Sequence, residues 1–271
     1  MRSPERGDLV YMEAMRLLRL TYEGRPRYAR WVDEHTARAW SAAPWEGGTE
    51  TDESIPLASA SLLPPTAPSK IVCVGRNYRA HAAELGHEVP AEPLLFLKPP
   101  SALLPHGGVV EWPSESERVD YEGEIALVIG RPLRRASEEE CARAIAGVTC
   151  ADDVTARDLQ RKDVQFTRGK GFDTFCPCGP WLETEPPPLD ALAIETRVGG
   201  VVRQRGTSAM MIWSIPALLA FISRVMRLEP GDLVLTGTPE GVGPLSPGDR
   251  VEITIEGVGT LAHSIGARGA P

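Results

Sequence analysis

Positive charge is in short supply in this 271-residue chain: 29 Lys and Arg stand against 37 Asp and Glu, a formal net charge of −8. A nucleic-acid backbone needs a cationic surface, so this balance argues against such a partner. Lysine is scarcer still, with 25 Arg and only four Lys, at positions 70, 98, 162 and 170. Long apolar runs are missing. The stretch Ile215–Ile222 falls well short of the roughly 18–20 residues a membrane span needs, and reads as half of a buried helix. Met1-Arg2-Ser3-Pro4-Glu5-Arg6 has none of the apolar core of a signal peptide. No CxxC pair exists: Cys176 and Cys178 are separated by one residue, and Cys73, Cys141 and Cys150 are scattered. Each cysteine therefore reads as a small buried hydrophobe in a reduced, cytoplasmic protein. Internal repeats and low-complexity tracts are also lacking.

What remains is ordinary globular composition, 42% hydrophobic and 24% charged, in a chain long enough for one or two domains. Residues 1–14 read as a mobile extension ahead of the natural start at Met15-Arg16-Leu17-Leu18. A small N-terminal domain is expected over 15–60, with Met15–Leu20 and Arg27–Val32 as strands around the turn 23–26. The proline-rich stretch 61–68 reads as a linker, and a catalytic domain is expected over 69–271. Strands are predicted at Lys70–Val74, Leu94–Leu97, Val119–Ile129 and Gly147–Cys150, with hairpins through Gly199-Gly200 and between Gly257 and Gly259. Helices are predicted at Ser137–Ile145 (opening with the capping box Ser137 to Glu140), Asp153–Lys162 and Ser214–Leu228. Strands dominate and helices decorate them, which suggests an α+β, mostly β fold of roll or barrel type.

The strongest local signal is Val119-Asp120-Tyr121-Glu122-Gly123-Glu124-Ile125. Alternation puts Glu122 and Glu124 on one face of a strand whose C-terminal end turns apolar on both faces. Two like charges near a dry environment cost free energy unless a cation neutralises them. Asp153, at the end of the next strand, is placed to be a third carboxylate, and Arg157 and Gln160 follow it at helical spacing. An all-oxygen set suits Mg²⁺, Mn²⁺ or Ca²⁺ rather than zinc. An exposed edge strand and a simple helix N-cap account for the same residues.

Three further segments carry chemistry. After the strand at Lys70–Val74, Tyr78 and His81 precede Glu84, and on a helix His81 and Glu84 are i, i+3 neighbours, so the carboxylate can orient the imidazole as a base. His35, His87, His106 and His263 have no such partner and read as surface or loop residues. In Arg168-Gly169-Lys170-Gly171-Phe172-Asp173, glycines frame an ammonium that can pair with an enolate or carboxylate, without P-loop spacing. In Leu235-Thr236-Gly237-Thr238-Pro239, the glycines do not match a dinucleotide site, but backbone N–H groups and the Thr238 hydroxyl can hold a carboxylate.

In this order, Gly75-Arg76-Asn77-Tyr78 with His81, Leu97-Lys98-Pro99, Asp120 to Glu124, Asp152 to Asp158, Gly169 to Asp173 and Thr236 to Pro239 resemble the fumarylacetoacetate hydrolase superfamily over about residues 69–262. The resemblance implies a mixed β-sandwich roll with a small N-terminal domain, usually a homodimer. It implies one Mg²⁺ or Mn²⁺ per subunit on Glu122, Glu124 and Asp153, and no organic cofactor. His81, Glu84 and Lys170 become the catalytic residues, and Arg157, Gln160, Thr238 and Tyr78 the substrate-binding ones. Gly75-Arg76-Asn77-Tyr78 lacks the acidic metal ligand of the eukaryotic fumarylacetoacetate hydrolase. The resemblance therefore points to the bacterial acylpyruvate hydrolase, oxaloacetate decarboxylase or 2-hydroxyhepta-2,4-diene-1,7-dioate isomerase type. The implied activity is metal-dependent cleavage of a C–C bond in a 2-oxo acid through a pyruvate-type enolate. Isomerisation or decarboxylation of the heptadiene-dioate, and dehydration of a sugar-derived 2-oxo acid, stand behind it. A non-catalytic binding protein with a structural cation is the alternative from another class.

Overall fold

A computed structural model describes residues 15–84, 86 and 88–269, so the extension expected at 1–14 and His87 lie outside the described residues. Strands fall into three sheets. The path of the largest runs Glu50–Pro56, Thr36–Trp40, Arg25–Trp31, Arg16–Tyr22, Cys176–Glu183, Ile145–Asp152, Gly123–Ile129, Leu233–Leu235, Ile71–Gly75 and Leu94–Lys98. A five-stranded sheet runs Val201–Thr207, Ala193–Val198, Arg250–Ile255, Gly259–Arg268 and Val109–Trp112. A small third sheet joins Thr155–Ala156, Val119–Tyr121 and Gly243–Pro244. The two larger sheets share one apolar core, in which Ile125, Leu127 and Ile129 meet Ile194, Ile253 and Leu261. This is the mixed, mostly β sandwich roll that the family resemblance implies.

Five helices accompany the sheets among the described residues: α1 (Arg79–Glu84), α2 (Glu138–Arg143), α3 (Arg157–Lys162), α4 (Thr167–Lys170) and α5 (Ile215–Val225). The predicted capping box closes α2: Ser137 accepts from Glu140 N and the Glu140 side chain accepts from Ser137 N. Ser214 caps α5, which buries Leu218, Leu219 and Ile222 in the shared core. All five cysteines are buried and free.

Three local expectations are corrected. The stretch read as a linker begins with a strand, Ser61–Leu63, paired with Arg16–Tyr22 in the register Arg19↔Leu63. Pro64 and Pro65 then end the ladder, because they have no N–H to donate, and the Thr66 hydroxyl ties the segment to Gly231 O at 2.6 Å. The strand expected over 119–129 is broken at Glu122 into two pieces that belong to different sheets. The helix expected from Asp153 starts only at Arg157. Thr155–Ala156 stay extended to pair with Val119–Asp120, and Thr155 Oγ1 donates to Asp153 O at 2.8 Å.

The N-terminal strands continue the main sheet, with Arg16 opposite Glu183 and Leu17 opposite Leu182. The Arg16 guanidinium packs against both the Trp31 and Trp181 rings, at 5.0 and 4.8 Å. Such contacts add a cation–π attraction to the shared ladder.

Candidate active site

The break at Glu122 builds the site. Its backbone N–H leaves the ladder to donate to Asp152 Oδ1 at 2.7 Å, while its carbonyl accepts from Asp153 N at 2.9 Å. This joins the broken strand to the turn that carries Asp153. Glu124 follows two residues on, in the strand Gly123–Ile129. As a result one carboxylate oxygen from each of Glu122, Glu124 and Asp153 lies within 4.8 Å of the others, and all three residues are buried.

Two lysines and one arginine neutralise part of this charge. Lys170 Nζ donates to Glu122 Oε2 at 2.8 Å and to Asp153 Oδ2 at 2.6 Å. Lys98 Nζ donates to Asp153 Oδ1 at 2.6 Å and to Val154 O at 3.1 Å. Arg157 donates to Glu122 Oε1 at 2.5 Å, Asp120 Oδ2 at 2.9 Å and Gln160 Oε1 at 2.7 Å. Burial alone would raise the Glu122 pKa, but Lys170 and Arg157 outweigh it and hold the carboxyl well below its usual range. Lys170 is likewise desolvated, yet Asp153 and Glu122 keep it firmly protonated.

Glu124 is different. It accepts one backbone hydrogen bond, from Gly237 N at 2.6 Å, and no Lys, Arg or His pairs with it among the described residues. Burial, then the neighbouring Asp153 and Glu122, push its pKa well above the usual carboxylate value. A buried carboxyl whose ionised form no ion-pair partner offsets among the described residues, set beside two other carboxylates, fits a hard divalent cation. The triad can hold a metal ion.

Beside the triad lies a cavity of about 310 Å³. His81, Arg157, Gln160, Lys170 and Thr238 line it along with the three carboxylates, and Leu94, Phe96 and Phe166 form an apolar wall. His81 is buried, and its Nδ1 lies 3.6 Å from Glu84 Oε2, beyond hydrogen-bond reach, without another partner among the described residues. Its pKa is lowered chiefly by burial; Glu122 opposes this and Arg157 and Lys170 add to it. Burial thus favours the neutral form of the imidazole that faces the cavity. Glu84 instead accepts from Gly241 N, at 3.1–3.2 Å.

Two sequence expectations change at the cavity wall. The Thr238 hydroxyl already donates to Gly123 O at 2.9 Å and accepts from Gln204 Nε2 at 2.8 Å, so its proton is engaged within the fold. Tyr78 is 1% exposed and does not line the cavity; a bridge to Met211 fixes its backbone, and its hydroxyl has no partner among the described residues. Helix α4 approaches α3 closely because residue 169 is glycine: a Cβ there would lie 2.9 Å from Gln160 N. That approach brings Lys170 and Gln160 to one cavity.

Several residues around the site escaped sequence reasoning. Asp120 is reached by both Arg118 and Arg157. His263, expected at the surface, is buried and sits 2.8 Å from Asp152 Oδ2. Its alternation with Leu261 and Ile265 along a strand was the available signal. Lys98 was legible as a motif lysine, but its pairing with Asp153 was not.

Comparison with known proteins agrees with this geometry. Residues 70–266 match the family model for the fumarylacetoacetate (FAA) hydrolase C-terminal domain, and residues 15–65 match an Rv2993c-like N-terminal family. Oxaloacetate tautomerase YisK of Bacillus subtilis is 44% identical over 251 residues, covering 86% of this chain and 83% of that protein. A mitochondrial oxaloacetate decarboxylase of Dictyostelium discoideum is 42% identical over 197 residues, covering 70% and 90%. The crystal structure of a 2-hydroxyhepta-2,4-diene-1,7-dioate isomerase from Mycobacterium marinum superposes with a TM-score of 0.86 at 42% identity, over 95% of this chain and 100% of that one. The ordered motifs, the buried acidic triad and these matches agree: the chain belongs to the fumarylacetoacetate hydrolase family of enzymes.

Proposed function

We propose that the protein acts on short 2-oxo acids with a carbonyl or carboxylate β to the keto group, and that it works through a pyruvate-type enolate. C–C cleavage is the leading reaction, as oxaloacetate decarboxylation or acylpyruvate hydrolysis. The observation that carries this reading is Glu124, a buried carboxylate with no cationic partner among the described residues, in a triad that opens onto the cavity faced by His81. Mg²⁺ or Mn²⁺ held by Glu122, Glu124 and Asp153 would supply Lewis acidity toward the 2-keto group. Lys170 is a compact cation fixed beside the triad, where negative charge develops as the enolate forms. Arg157 and the Gln160 amide orient the substrate carboxylate from the same wall.

In decarboxylation the C3–C4 bonding electrons move into the 2-keto group, CO₂ leaves, and C3 then takes a proton. In acylpyruvate hydrolysis His81 takes a proton from water as its oxygen attacks the distal carbonyl, and the same C3–C4 bond breaks. A second reading, tautomerisation of the same acid without bond cleavage, is favoured by the neutral His81 at the cavity and by the relative named as an oxaloacetate tautomerase. We also propose a homodimer, which sedimentation would test.

The deciding experiment follows oxaloacetate with two readouts, enol absorbance and pyruvate release, alongside acetylpyruvate hydrolysis, before and after chelation. Pyruvate release that tracks added Mg²⁺ or Mn²⁺ supports cleavage. Enol loss without pyruvate supports tautomerisation. Turnover that survives chelation refutes the metal-dependent reading, and binding of 2-oxo acids without any turnover would leave a binding protein.

A further inference from the structure

We propose that Arg76 and Arg161 form a distal anion subsite of the cavity, which selects 2-oxo acids bearing a second carboxylate. The inference rests on the 2-oxo acid reading and deepens it by naming the substrate class, a dianion.

Four guanidinium or ammonium groups line the cavity, and they divide into two pairs. Arg157 and Lys170 are engaged with Asp120, Glu122 and Asp153. Arg76, half-buried, and Arg161, exposed, also line it, and neither side chain makes a hydrogen bond or ion pair with any described residue. Cations that face a cavity without an internal counterion raise the local concentration of anions. Planar guanidinium groups also match the fork of a carboxylate.

The two arginines reach the cavity from different elements. Arg161 stands on α3 four residues after Arg157, so it shares that face one turn farther along. Arg76 follows the strand Ile71–Gly75 and holds φ +57°, a left-handed conformation that side chains other than Gly, Asn or Asp rarely adopt. The next residue clamps it there. Asn77 Nδ2 donates to Thr236 O at 2.9 Å and Asn77 Oδ1 accepts from Trp213 N at 3.0 Å. An outlier held this firmly at a cavity mouth is where a positioned side chain is expected. The apolar wall of Leu94, Phe96 and Phe166 offers the competing destination, an uncharged acyl tail.

The test compares R76M, R161M and the charge-retaining R76K with the wild type, all with Mg²⁺. One readout is KM for oxaloacetate, a dianion, against acetylpyruvate, a monoanion. The other is calorimetric binding of ketomalonate, a 2-oxo dicarboxylate with no C3 hydrogen, against pyruvate. Each Met variant should raise KM for oxaloacetate and Kd for ketomalonate at least tenfold, leave acetylpyruvate and pyruvate within about twofold, and keep kcat near that of the wild type; R76K should recover part of the loss. Equal weakening of mono- and dianions, or no change in either, overturns the subsite. If the wild type turns over nothing yet binds ketomalonate in an arginine-dependent way, the subsite stands and the catalytic reading falls. Turnover with arginine-independent binding sinks the subsite alone.

Discussion

His263 Nε2 lies 2.8 Å from Asp152 Oδ2, and neither side chain has any solvent exposure. The other oxygen of Asp152 receives the backbone N–H of Glu122 at 2.7 Å. A histidine on the strand Gly259–Arg268 therefore fixes, through Asp152, the backbone that aims a triad carboxylate. Replacing His263 with Leu leaves Asp152 Oδ2 buried without its partner, which costs about 1–3 kcal/mol. H263L should lower affinity for Mg²⁺ or Mn²⁺ by about 10–100-fold, the usual effect of losing a group that orients a ligand. H263N, which can still hydrogen-bond, should fall between. Calorimetric titration checks this, and unchanged metal affinity in a variant with lowered Tm would reduce the pair to a structural contact.

Glu124→Gln separates metal binding from stability. The amide oxygen can still accept from Gly237 N, while the cost of burying an ionisable carboxyl beside Asp153 and Glu122 disappears. Metal-free E124Q should be at least as stable as the metal-free wild type, with a gain on the order of 1 kcal/mol appearing as about 2–4 °C in Tm. The Tm rise that Mg²⁺ or Mn²⁺ gives the wild type should vanish, together with turnover. Thermal melts with and without metal decide it.

The pH profile should report His81. Burial and the nearby Arg157 and Lys170 lower its pKa, Glu122 only partly opposing them, and the imidazole acts as a base when neutral. Activity that needs the base should therefore fall on the acid side with a midpoint below the ordinary histidine value of about 6.5. H81A should lose this limb and about 10²–10⁴-fold in acylpyruvate hydrolysis or tautomerisation. Oxaloacetate decarboxylation needs no attacking water and should suffer less. Equal loss in all reactions would refute the division of roles.

Gly237 has φ +97°, and a Cβ there would lie 2.9 Å from Asn77 Cβ. G237A should cost about 1–3 kcal/mol in backbone strain. It should also weaken metal binding by shifting the N–H that Glu124 accepts, an effect a distant destabilising substitution would not have. Paired melts and metal titrations test both parts.

Much of the site was legible because strand and helix periodicities are local. Glu122 and Glu124 stand two apart ahead of an apolar strand, and His81 and Glu84 stand three apart on a helix. The break at Glu122 was not legible, since it depends on Asp152 from another strand capturing the Glu122 N–H. Nor was the true start of α3, set by pairing of Thr155–Ala156 with Val119–Asp120. Tyr78 carried a motif signal, but its backbone bridges to Met211 and it does not line the cavity.

By itself, the sequence determined the sheet-rich class, the caps of α2 and α5, the family, and the three carboxylates, because each depends on residue type and short spacing. The tertiary structure alone decided which cations are engaged. Lys98 and Lys170 lie 72 positions apart (170 − 98) yet meet on the two oxygens of Asp153. Arg157 is held at Glu122, whereas Arg76 and Arg161 line the cavity without a partner among the described residues. Charge pairing depends on distance in space and on burial, and neither is written in the order of residues along the chain.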